Sequence, residues 1–403
     1  MRAFFTLIII ALFFSCGNEI TTLKPGKWRV NLEVQDGKTL PFMMEYKADK
    51  TFVISNAEER IQITDIQIEG DSITIQAPVF EGVLKGVFVS EEKIEGSFIK
   101  TSLNRIVPFS MFFGKENRFE SDAEATVNVT GNWETVFSPN SDEDRYISKG
   151  TFTQNGNNVT GTFRTTTGDY RYLEGIVENN IMKLSTFDGA HAFLFEATVT
   201  DSTLTGVFYS GNHWKEPFVA KRNEAYELPD ADSLTYLKEG YDRFDFSFPD
   251  KDGNIISMQD DRFKNKVVLV QIMGTWCPNC LDETKFYSQY LRENNHDDLE
   301  IIALAFEYAP TKEKAFSAIN RLKETIGVPY PILLAQVGTS NKKKANEKLP
   351  MLNHILSYPT TIYIDKAGEV RKIHTGFNGP ATGKKFTEFK AEFEGFVSQL
   401  LKE

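Results

Sequence analysis

The sequence feature that most constrains the fold is a nearly uninterrupted apolar run, Val267–Met273. A run of this length, rich in β-branched residues, predicts a strand that is buried on both faces of a sheet. After Cys280 the spacing changes, because Thr284 and Tyr287 recur at intervals typical of one face of a helix. The sequence therefore predicts a core strand, a short turn and a helix that begins close to Cys277.

Two cysteines lie in this turn, in the order Trp276, Cys277, Pro278, Asn279, Cys280. Pro278 suits the first turn of a helix, so Cys277 is expected at the helix N-terminus. Unpaired amide groups and the helix dipole favour a thiolate there, and the thiolate is the nucleophile of thiol–disulfide exchange. Cys280, one turn later, is placed to attack the resulting mixed disulfide. The pattern predicts a redox-active Cys277–Cys280 pair.

A C-x-x-C pattern can instead form half of a zinc site. That alternative needs two further ligands, and beyond this pair the chain offers Cys16 and five scattered histidines. Trp276 and the strand before it favour redox chemistry. We therefore predict neither a metal nor a cofactor.

Composition and charge restrict the classes of protein that are possible. The length of 403 residues predicts two or three domains, and a hydrophobic content of 41% indicates globular packing. Residues 243–403 hold 22 Lys and Arg against 21 Asp and Glu, so the net charge of −11 comes from the first 242 residues. This acidic N-terminal part argues against nucleic acid as a partner.

The N-terminus has the pattern of a bacterial lipoprotein signal. A charged start precedes the short apolar run 7–15, which is too short to span a bilayer. Ser-Cys-Gly at 15–17 resembles a lipobox, which implies cleavage before Cys16 and lipidation of its thiol. An ordinary signal with an incidental cysteine is the alternative. We expect a signal peptide at 1–15, a tether at 16–25 and a lipid-anchored protein of the bacterial cell envelope that faces the periplasm.

If Cys16 carries lipid, Cys277 and Cys280 are the only free cysteines of the chain. Any disulfide within the protein must then join these two, and no structural disulfide framework exists.

Residues 26–222 alternate apolar and polar residues in short runs separated by turn signals, which is typical of antiparallel β-meanders. The motif Gly-Lys-Trp that ends at Trp28 recurs as Gly-Asn-Trp ending at Trp133, an offset of 105 residues. This indicates an internal duplication. We predict two similar β-meander units, 26–118 and 129–222, each sandwich-like or barrel-like, followed by an acidic linker at 223–242. A single larger unit is the alternative.

His191, His213, Trp133 and Trp214 are the side chains of this half that could carry chemistry. A lone histidine in a strand is usually structural, and tryptophans that open or close a unit are usually core. We expect no catalytic role here. In an alternative hypothesis the β region dominates function by binding a partner or a glycan.

From residue 243 onward, predicted strands alternate with predicted helices. The apolar runs 299–306 and 360–364 predict strands, and the stretches 311–325, 341–355 and 384–401 predict helices. Such alternation predicts a parallel-centred sheet with covered faces. The fold class is therefore multidomain, with an all-β N-terminal region followed by an α/β domain at 243–403.

Residues 243–403 resemble the thioredoxin superfamily and, within it, the TlpA/ResA-type extracytoplasmic thiol-disulfide oxidoreductases. The residues that carry the resemblance are Trp-Cys-Pro-Asn-Cys at 276–280, Glu283, Tyr-Pro-Thr-Thr at 358–361 and Ile-Asp-Lys-Ala-Gly at 364–368. The resemblance covers under half of the chain. It implies a thioredoxin-like fold and disulfide exchange.

The resemblance also implies roles for individual residues. Cys277 is expected to attack and Cys280 to resolve. Glu283 follows Cys280 by one turn on the same helix face, where a desolvated carboxylate could accept the Cys280 proton. A solvated carboxylate beside Asp282 is the alternative.

The same resemblance makes Pro359 the cis-proline that faces the disulfide, since X-Pro bonds tolerate the cis form. The backbone of Tyr358 would then turn outward to pair with a substrate peptide. Trp276, Tyr358, Pro359 and Thr360 are the predicted substrate-binding residues. The alternative is a trans proline that opens an edge strand.

The expected partners are protein disulfide or dithiol substrates and an upstream electron donor in the membrane. A reductase is favoured over an oxidase, because the strongly oxidising DsbA-type site has a histidine between its cysteines, whereas this chain has Pro278 and Asn279. A thiol-dependent peroxidase is disfavoured, because the peroxiredoxin pattern Pro-x-x-x-Thr-x-x-Cys is missing around Cys277.

Overall fold

The computed structural model describes residues 23–294 and 296–403. Residues 1–22, with the predicted signal peptide and Cys16, lie outside the described residues. The described chain forms two nine-stranded sheets, then a two-stranded and a five-stranded sheet with four α-helices. The predicted fold class, an all-β N-terminal region followed by a thioredoxin-like α/β region, is confirmed.

The first sheet is an antiparallel meander in which alternate residues face its core. Its strands are β1 (Gly26–Glu33), β2 (Thr39–Tyr46), β3 (Phe52–Asn56), β4 (Glu59–Ile63), β5 (Ile66–Glu69), β6 (Ser72–Gln76), β7 (Val83–Ser90), β8 (Lys93–Lys100) and β9 (Arg105–Phe113). They lie in the order β4-β3-β2-β1-β9-β8-β7-β6-β5. Trp28, Val30 and Leu32 of β1 point inward and are fully buried.

The second sheet closes into a barrel. Its strands are β10 (Gly131–Phe137), β11 (Tyr146–Asn155), β12 (Asn158–Thr165), β13 (Gly168–Asp169), β14 (Leu173–Glu178), β15 (Ile181–Phe187), β16 (Ala192–Val199), β17 (Thr203–Ser210) and β18 (Trp214–Arg222). They lie in the order β11-β10-β18-β17-β16-β15-β14-β12-β13, and β11 also pairs with β12. This extra pairing closes the sheet and removes its open edges.

Both sheets repeat one local arrangement at their first strand. Trp28 and Trp133 are fully buried. Each indole Nε1 donates to the carbonyl oxygen four residues earlier, that of Lys24 at 3.0 Å and that of Val129 at 2.8 Å. An internal duplication explains this repeated contact.

The C-terminal α/β region begins with a small hairpin and continues as a mixed sheet. Its elements are β19 (Ser247–Pro249), β20 (Ile255–Ser257), β21 (Val267–Met273), α1 (Pro278–Glu293), β22 (Leu299–Phe306), α2 (Lys312–Ile326), β23 (Ile332–Gln336), α3 (Lys342–Lys348), β24 (Thr360–Ile364), β25 (Val370–Thr375) and α4 (Lys384–Lys402). The sheet order is β23-β22-β21-β24-β25, with β21, β22 and β23 parallel. Every residue of β21 is buried, as its apolar run predicts.

One helix is shorter than the sequence suggests. The pattern predicts a helix over 341–355, but α3 ends at Lys348. Pro350 follows, and a proline disfavours the helical conformation of the residue before it. Leu349 accordingly has φ −128° and ψ 65°, so the predicted extent of this helix is wrong.

The N-terminal β region packs directly against the C-terminal α/β region. Ala77, Val79 and Phe80, in the loop between β6 and β7, belong to the same hydrophobic core as β21. Arg321 of α2 donates to the carbonyl oxygen of Phe80 at 3.3 Å. This loop therefore fixes the first sheet beside the sheet that carries the cysteines.

Candidate active site at the start of helix α1

Cys277 is the N-cap residue of α1, as its sequence position predicts. Its sulfur accepts a hydrogen bond from the backbone N–H of Cys280, with 3.4 Å between N and Sγ. The Cys277 thiol also lies 3.3 Å from the carbonyl oxygen of Tyr358. Both cysteines are free thiols. In the described ranges no group of three or more His, Cys, Asp or Glu side chains is arranged to hold a metal ion.

The two sulfurs have different environments. Cys277 is 8% exposed, whereas Cys280 is fully buried. Burial raises the pKa of Cys280 well above its ordinary value, and the neighbouring Cys277 sulfur raises it further. Cys280 therefore needs a nearby group that accepts its proton before it can act as a nucleophile.

Glu283 is a candidate for that group. Its side chain is fully buried, so the alternative of a solvated carboxylate is wrong. Gln271 Nε2 donates to it at 2.9 Å, Tyr287 Oη at 3.1 Å and Thr361 Oγ1 at 3.0 Å. Burial raises the pKa of Glu283 to about 7, although these donors lower it. The carboxyl can thus gain or lose a proton near neutral pH, and its charge acts on Cys280.

The residues that donate hydrogen bonds to Glu283 were not predicted from the sequence. Gln271 is the one polar residue in the apolar run of β21, and a polar interruption in a buried strand is a usable signal. Thr361 and Tyr287 belong to β24 and α1 and carry no comparable signal. The fold alone brings these side chains together.

The predicted substrate-binding residues surround Cys277. Trp276 Nε1 donates to the carbonyl oxygen of Phe306 at 3.0 Å, and its ring centroid is 5.5 Å from that of Tyr358. The Tyr358–Pro359 peptide bond is cis, as predicted, so the trans alternative is wrong. Thr360 differs from expectation: its side chain is fully buried and donates to the Ser357 carbonyl at 3.0 Å. It faces the core, where it can support the loop but cannot contact a substrate.

A second buried carboxyl lies behind Trp276. Glu307 directly follows β22 and accepts hydrogen bonds from the Thr275 backbone N–H at 2.7 Å and from Thr275 Oγ1 at 2.8 Å. Burial raises the pKa of Glu307 to about 7. The pair holds the turn that precedes the cysteines.

A cleft of about 350 Å³ opens beside Cys277, and we call it the cysteine cleft. Trp276 and Pro278 line one side, and residues of the N-terminal β region, including His191 and His213, line the other. Sequence reasoning placed neither histidine near the cysteines, because both lie more than 60 residues before them in the chain. Their proximity arises from the packing of the two regions.

The barrel also contacts α1 directly. Asn279 Nδ2, between the two cysteines, donates to the carbonyl oxygen of Asp169 at 3.1 Å. The Asp169 carboxylate accepts from the backbone N–H of Gly379 at 2.6 Å. Arg171 donates to Asp282 on α1 and to the carbonyl oxygen of Pro278. The N-terminal β region therefore forms part of the surroundings of the active site.

Comparisons with known proteins agree with this geometry. Residues 238–390 match the Redoxin family. The chain is 31% identical over 140 residues to the thioredoxin-like protein YneN of Bacillus subtilis, which covers 35% of this chain and 73% of that relative. It is 24% identical to the thiol-disulfide oxidoreductase ResA of the same species, over 35% of this chain and 69% of ResA.

Among solved structures, a thiol:disulfide interchange protein of Chlorobium tepidum is 22% identical and covers 41% of this chain and 98% of its own, with a TM-score of 0.30. The Redoxin match includes the strand β21, both cysteines and Pro359, so it covers the site described above. Through its C-terminal Redoxin domain, the chain therefore belongs to the thioredoxin superfamily and is a thioredoxin-like thiol-disulfide oxidoreductase.

Proposed function

We propose that this protein is a lipid-anchored oxidoreductase of the bacterial cell envelope that reduces protein disulfides with the Cys277 and Cys280 thiols. The observation that carries the proposal is the position of Cys277 at the start of α1. Its sulfur accepts from the Cys280 N–H and faces the Tyr358 carbonyl, while Glu283 lies buried on the same helix.

The reaction proceeds in two exchanges. The Cys277 thiolate attacks one sulfur of the substrate disulfide, the substrate S–S bond breaks, and the leaving thiolate takes up a proton. The Cys280 thiol gives its proton to Glu283 and attacks the mixed disulfide at Cys277. The bond between Cys277 and the substrate breaks, the second substrate sulfur leaves as a thiolate that takes up a proton, and the Cys277–Cys280 disulfide remains. Two electrons pass from the protein to the substrate.

A further cycle requires a reductant. We assign this role to a membrane dithiol donor, which would reduce the Cys277–Cys280 disulfide by the same exchange in reverse. Attachment through lipid on Cys16 would hold the protein at the membrane, facing the periplasm. None of the helices in the described part of the chain is both long and apolar enough to cross a membrane.

Trapping of mixed disulfides tests the roles of the two cysteines. In the full chain with Cys280→Ala, Cys277 should accumulate covalently linked partners, because the resolving thiol is missing. The Cys277→Ala protein is the matched control, since it keeps one thiol on the same helix. Partners are separated on non-reducing gels and released with dithiothreitol. Equal trapping by the two variants would show that the assignment of attacking and resolving thiols is wrong.

A further inference from the structure

The side of the cysteine cleft that belongs to the N-terminal β region is basic. Lys100, Arg105, His191 and His213 line it, and no aspartate or glutamate does so among the described residues. Lys100 ends β8 and Arg105 begins β9, whereas His191 directly precedes β16 and His213 lies between β17 and β18. Both sheets therefore contribute positive or proton-donating groups to a cleft whose reactive atom is the Cys277 sulfur.

The charges of Asp188 and Glu81 act on Lys100 without forming a salt bridge with it. Lys100 Nζ donates to the carbonyl oxygen of Ala190 at 3.0 Å, and neither Lys100 nor Arg105 forms a salt bridge within residues 23–294 and 296–403. Burial and repulsion from Arg105 together lower the pKa of Lys100 to about 8. Burial and both cations lower the pKa of His213 to about 4. At neutral pH the wall thus carries two positive charges and a neutral imidazole.

The nearby carboxylates have other partners. Asp188 accepts from the backbone N–H groups of Ala190 and His191, at 2.9 and 2.6 Å, and lies 3.6 Å from Arg171 Nε. Glu81 accepts from Tyr308 Oη at 3.1 Å and from a backbone N–H. Asp188 also lies 3.3 Å from Nδ1 of His191, but within the described residues neither carboxylate forms a salt bridge with Lys100 or Arg105, so these two cations can bind a ligand carboxylate.

The cleft continues into a wider groove of about 840 Å³ along the mouth of the barrel. His191, Phe193, Ser210 and His213 line both spaces, so the two are contiguous. Phe98 and Val107 add apolar surface on the cysteine side. Both signs of charge line the wider groove, among them Glu143, Asp144 and Arg145, so the cationic wall belongs to the cysteine cleft alone. The elongated, partly apolar shape of the two spaces suits an extended polypeptide segment better than a compact small molecule.

We propose that the cysteine cleft selects protein disulfides whose cysteines are flanked by acidic residues, with Lys100 and Arg105 binding the substrate carboxylates. This inference rests on the proposed function, because it specifies the substrate of the same thiols. The N-terminal β region thereby supplies substrate selection to the C-terminal domain. Its overall acidity does not prevent this, since salt screens exposed charges that lie more than about 10 Å from the cleft.

Three disulfide-bonded peptides of equal length, with Glu, Gln or Lys beside each cysteine, test the proposal. Each reacts in excess with the fully reduced full chain, and alkylation with mass spectrometry follows the loss of the Cys277 and Cys280 thiols. We expect the Glu peptide to react at least about tenfold faster than the Lys peptide at a salt concentration of about 0.1 M, where distant charges are screened. In Lys100→Gln/Arg105→Gln the two rates should become similar.

The matched control is Lys85→Gln/Arg60→Gln, which removes the same charges from exposed positions of the first sheet. It should keep the full preference. The preference is taken as the ratio of the Glu-peptide rate to the Lys-peptide rate within one protein, and circular dichroism with the Gln-peptide reaction checks that each variant is folded and retains activity. Equal rates of all peptides with the unaltered protein would overturn the selection but leave the oxidoreductase function intact. A preference that survives in Lys100→Gln/Arg105→Gln would overturn its assignment to this cleft. Failure of every peptide to react would overturn the proposed function itself.

Discussion

Arg171 of the barrel donates a hydrogen bond to the carboxylate of Asp282 on the helix that begins at Cys277. The Arg171 side chain is 4% exposed and also pairs with Glu59 of the first sheet. Asp188 lies 3.6 Å from its Nε. One guanidinium thus joins the first sheet, the barrel and the active-site helix. Burial alone would lower the pKa of Arg171, but the carboxylates of Asp282, Glu59 and Asp188 raise it well above its ordinary value.

Arg171→Met should destabilise the protein strongly, because it leaves buried carboxylates without their cation. We expect the free energy of unfolding to fall by about 3–5 kcal/mol, measured by urea denaturation near pH 7. The alkylation rate of Cys277 should rise as the barrel separates from α1. Arg29→Met is the control, since Arg29 pairs with the exposed Glu120. This substitution should lower the free energy of unfolding by at most about 1 kcal/mol. Similar losses for the two variants would contradict the role of Arg171.

Glu283→Gln should make stability less dependent on pH. Burial raises the pKa of Glu283 from 4.5 to about 7, so the folded state binds a proton that the unfolded state releases. The protonated carboxyl contributes to the free energy of unfolding in full below pH 4.5, and this contribution is lost as pH rises to about 7. The shift corresponds to about 3 kcal/mol. Urea denaturation should therefore show that the free energy of unfolding falls less between pH 5 and pH 8 for the variant than for the unaltered protein.

The same substitution should slow the resolving step. A carboxyl that accepts the Cys280 proton is replaced by an amide that cannot, so release of substrate from the Cys277 mixed disulfide should fall at least about tenfold. Its pH dependence between pH 5 and pH 9 should also change. Glu307→Gln is the matched control, because Glu307 is buried with a pKa of about 7 but contacts Thr275. If both variants release substrate alike, Glu283 has no specific role.

Features encoded in contiguous residues could be predicted from the sequence. The apolar run before Trp276 predicted the buried strand β21, and Pro278 predicted the start of α1 at Cys277. The resemblance of residues 358–361 to the thioredoxin superfamily predicted the cis peptide bond before Pro359. Periodicity and local motifs are short-range signals, which a single sequence displays directly.

Features that depend on packing between distant segments could not be predicted. Asn279 and Asp169 are 110 residues apart, and their contact follows from the position of the barrel. The basic wall of the cysteine cleft could not be inferred from the net charge, because Lys100 and Arg105 lie in an acidic half of the chain. Thr360 was misassigned because the sequence does not show that its side chain points inward.

Lys342 adds a charge that sequence reasoning overlooked. It is the first residue of α3, and burial lowers the pKa of Lys342, but the negative charge of a Cys277 thiolate is close enough to oppose that shift. By the same attraction Lys342 stabilises the thiolate and hence the reduced state. Lys342→Gln should therefore make the reduction potential of the Cys277–Cys280 couple more negative, by about 5–20 mV for one partly screened charge.

Equilibration with glutathione and dithiothreitol buffers measures this potential. For the unaltered protein we expect a value below about −180 mV, nearer thioredoxin at about −270 mV than DsbA at about −120 mV, because an uncharged Asn279 replaces the histidine of the oxidising site. Lys343→Gln, one residue along the same helix, should leave the potential unchanged. A potential above about −180 mV would favour an oxidase or isomerase over a reductase.

Gly168→Ala should disturb the contact between the barrel and α1. Gly168 has φ +143°, and a Cβ atom there would collide with Asn279 Nδ2, which lies between the two cysteines. We expect a loss of about 1–3 kcal/mol in the free energy of unfolding. Gly156→Ala is the control for adding a Cβ atom at a glycine of positive φ, here +59°, because a Cβ atom there would meet no atom within 4 Å.

A double-mutant cycle separates the collision from the strain. Asn279→Ala removes the side chain that an alanine at position 168 would meet, so Gly168→Ala should cost less in the Asn279→Ala background than in the unaltered protein. Strain from φ remains in both backgrounds and cancels in the cycle. The difference should amount to at least about 1 kcal/mol, since the two positions are in contact. Additive effects would mean that Asn279 does not meet the barrel in solution, and the Asn279–Asp169 hydrogen bond would then be absent as well.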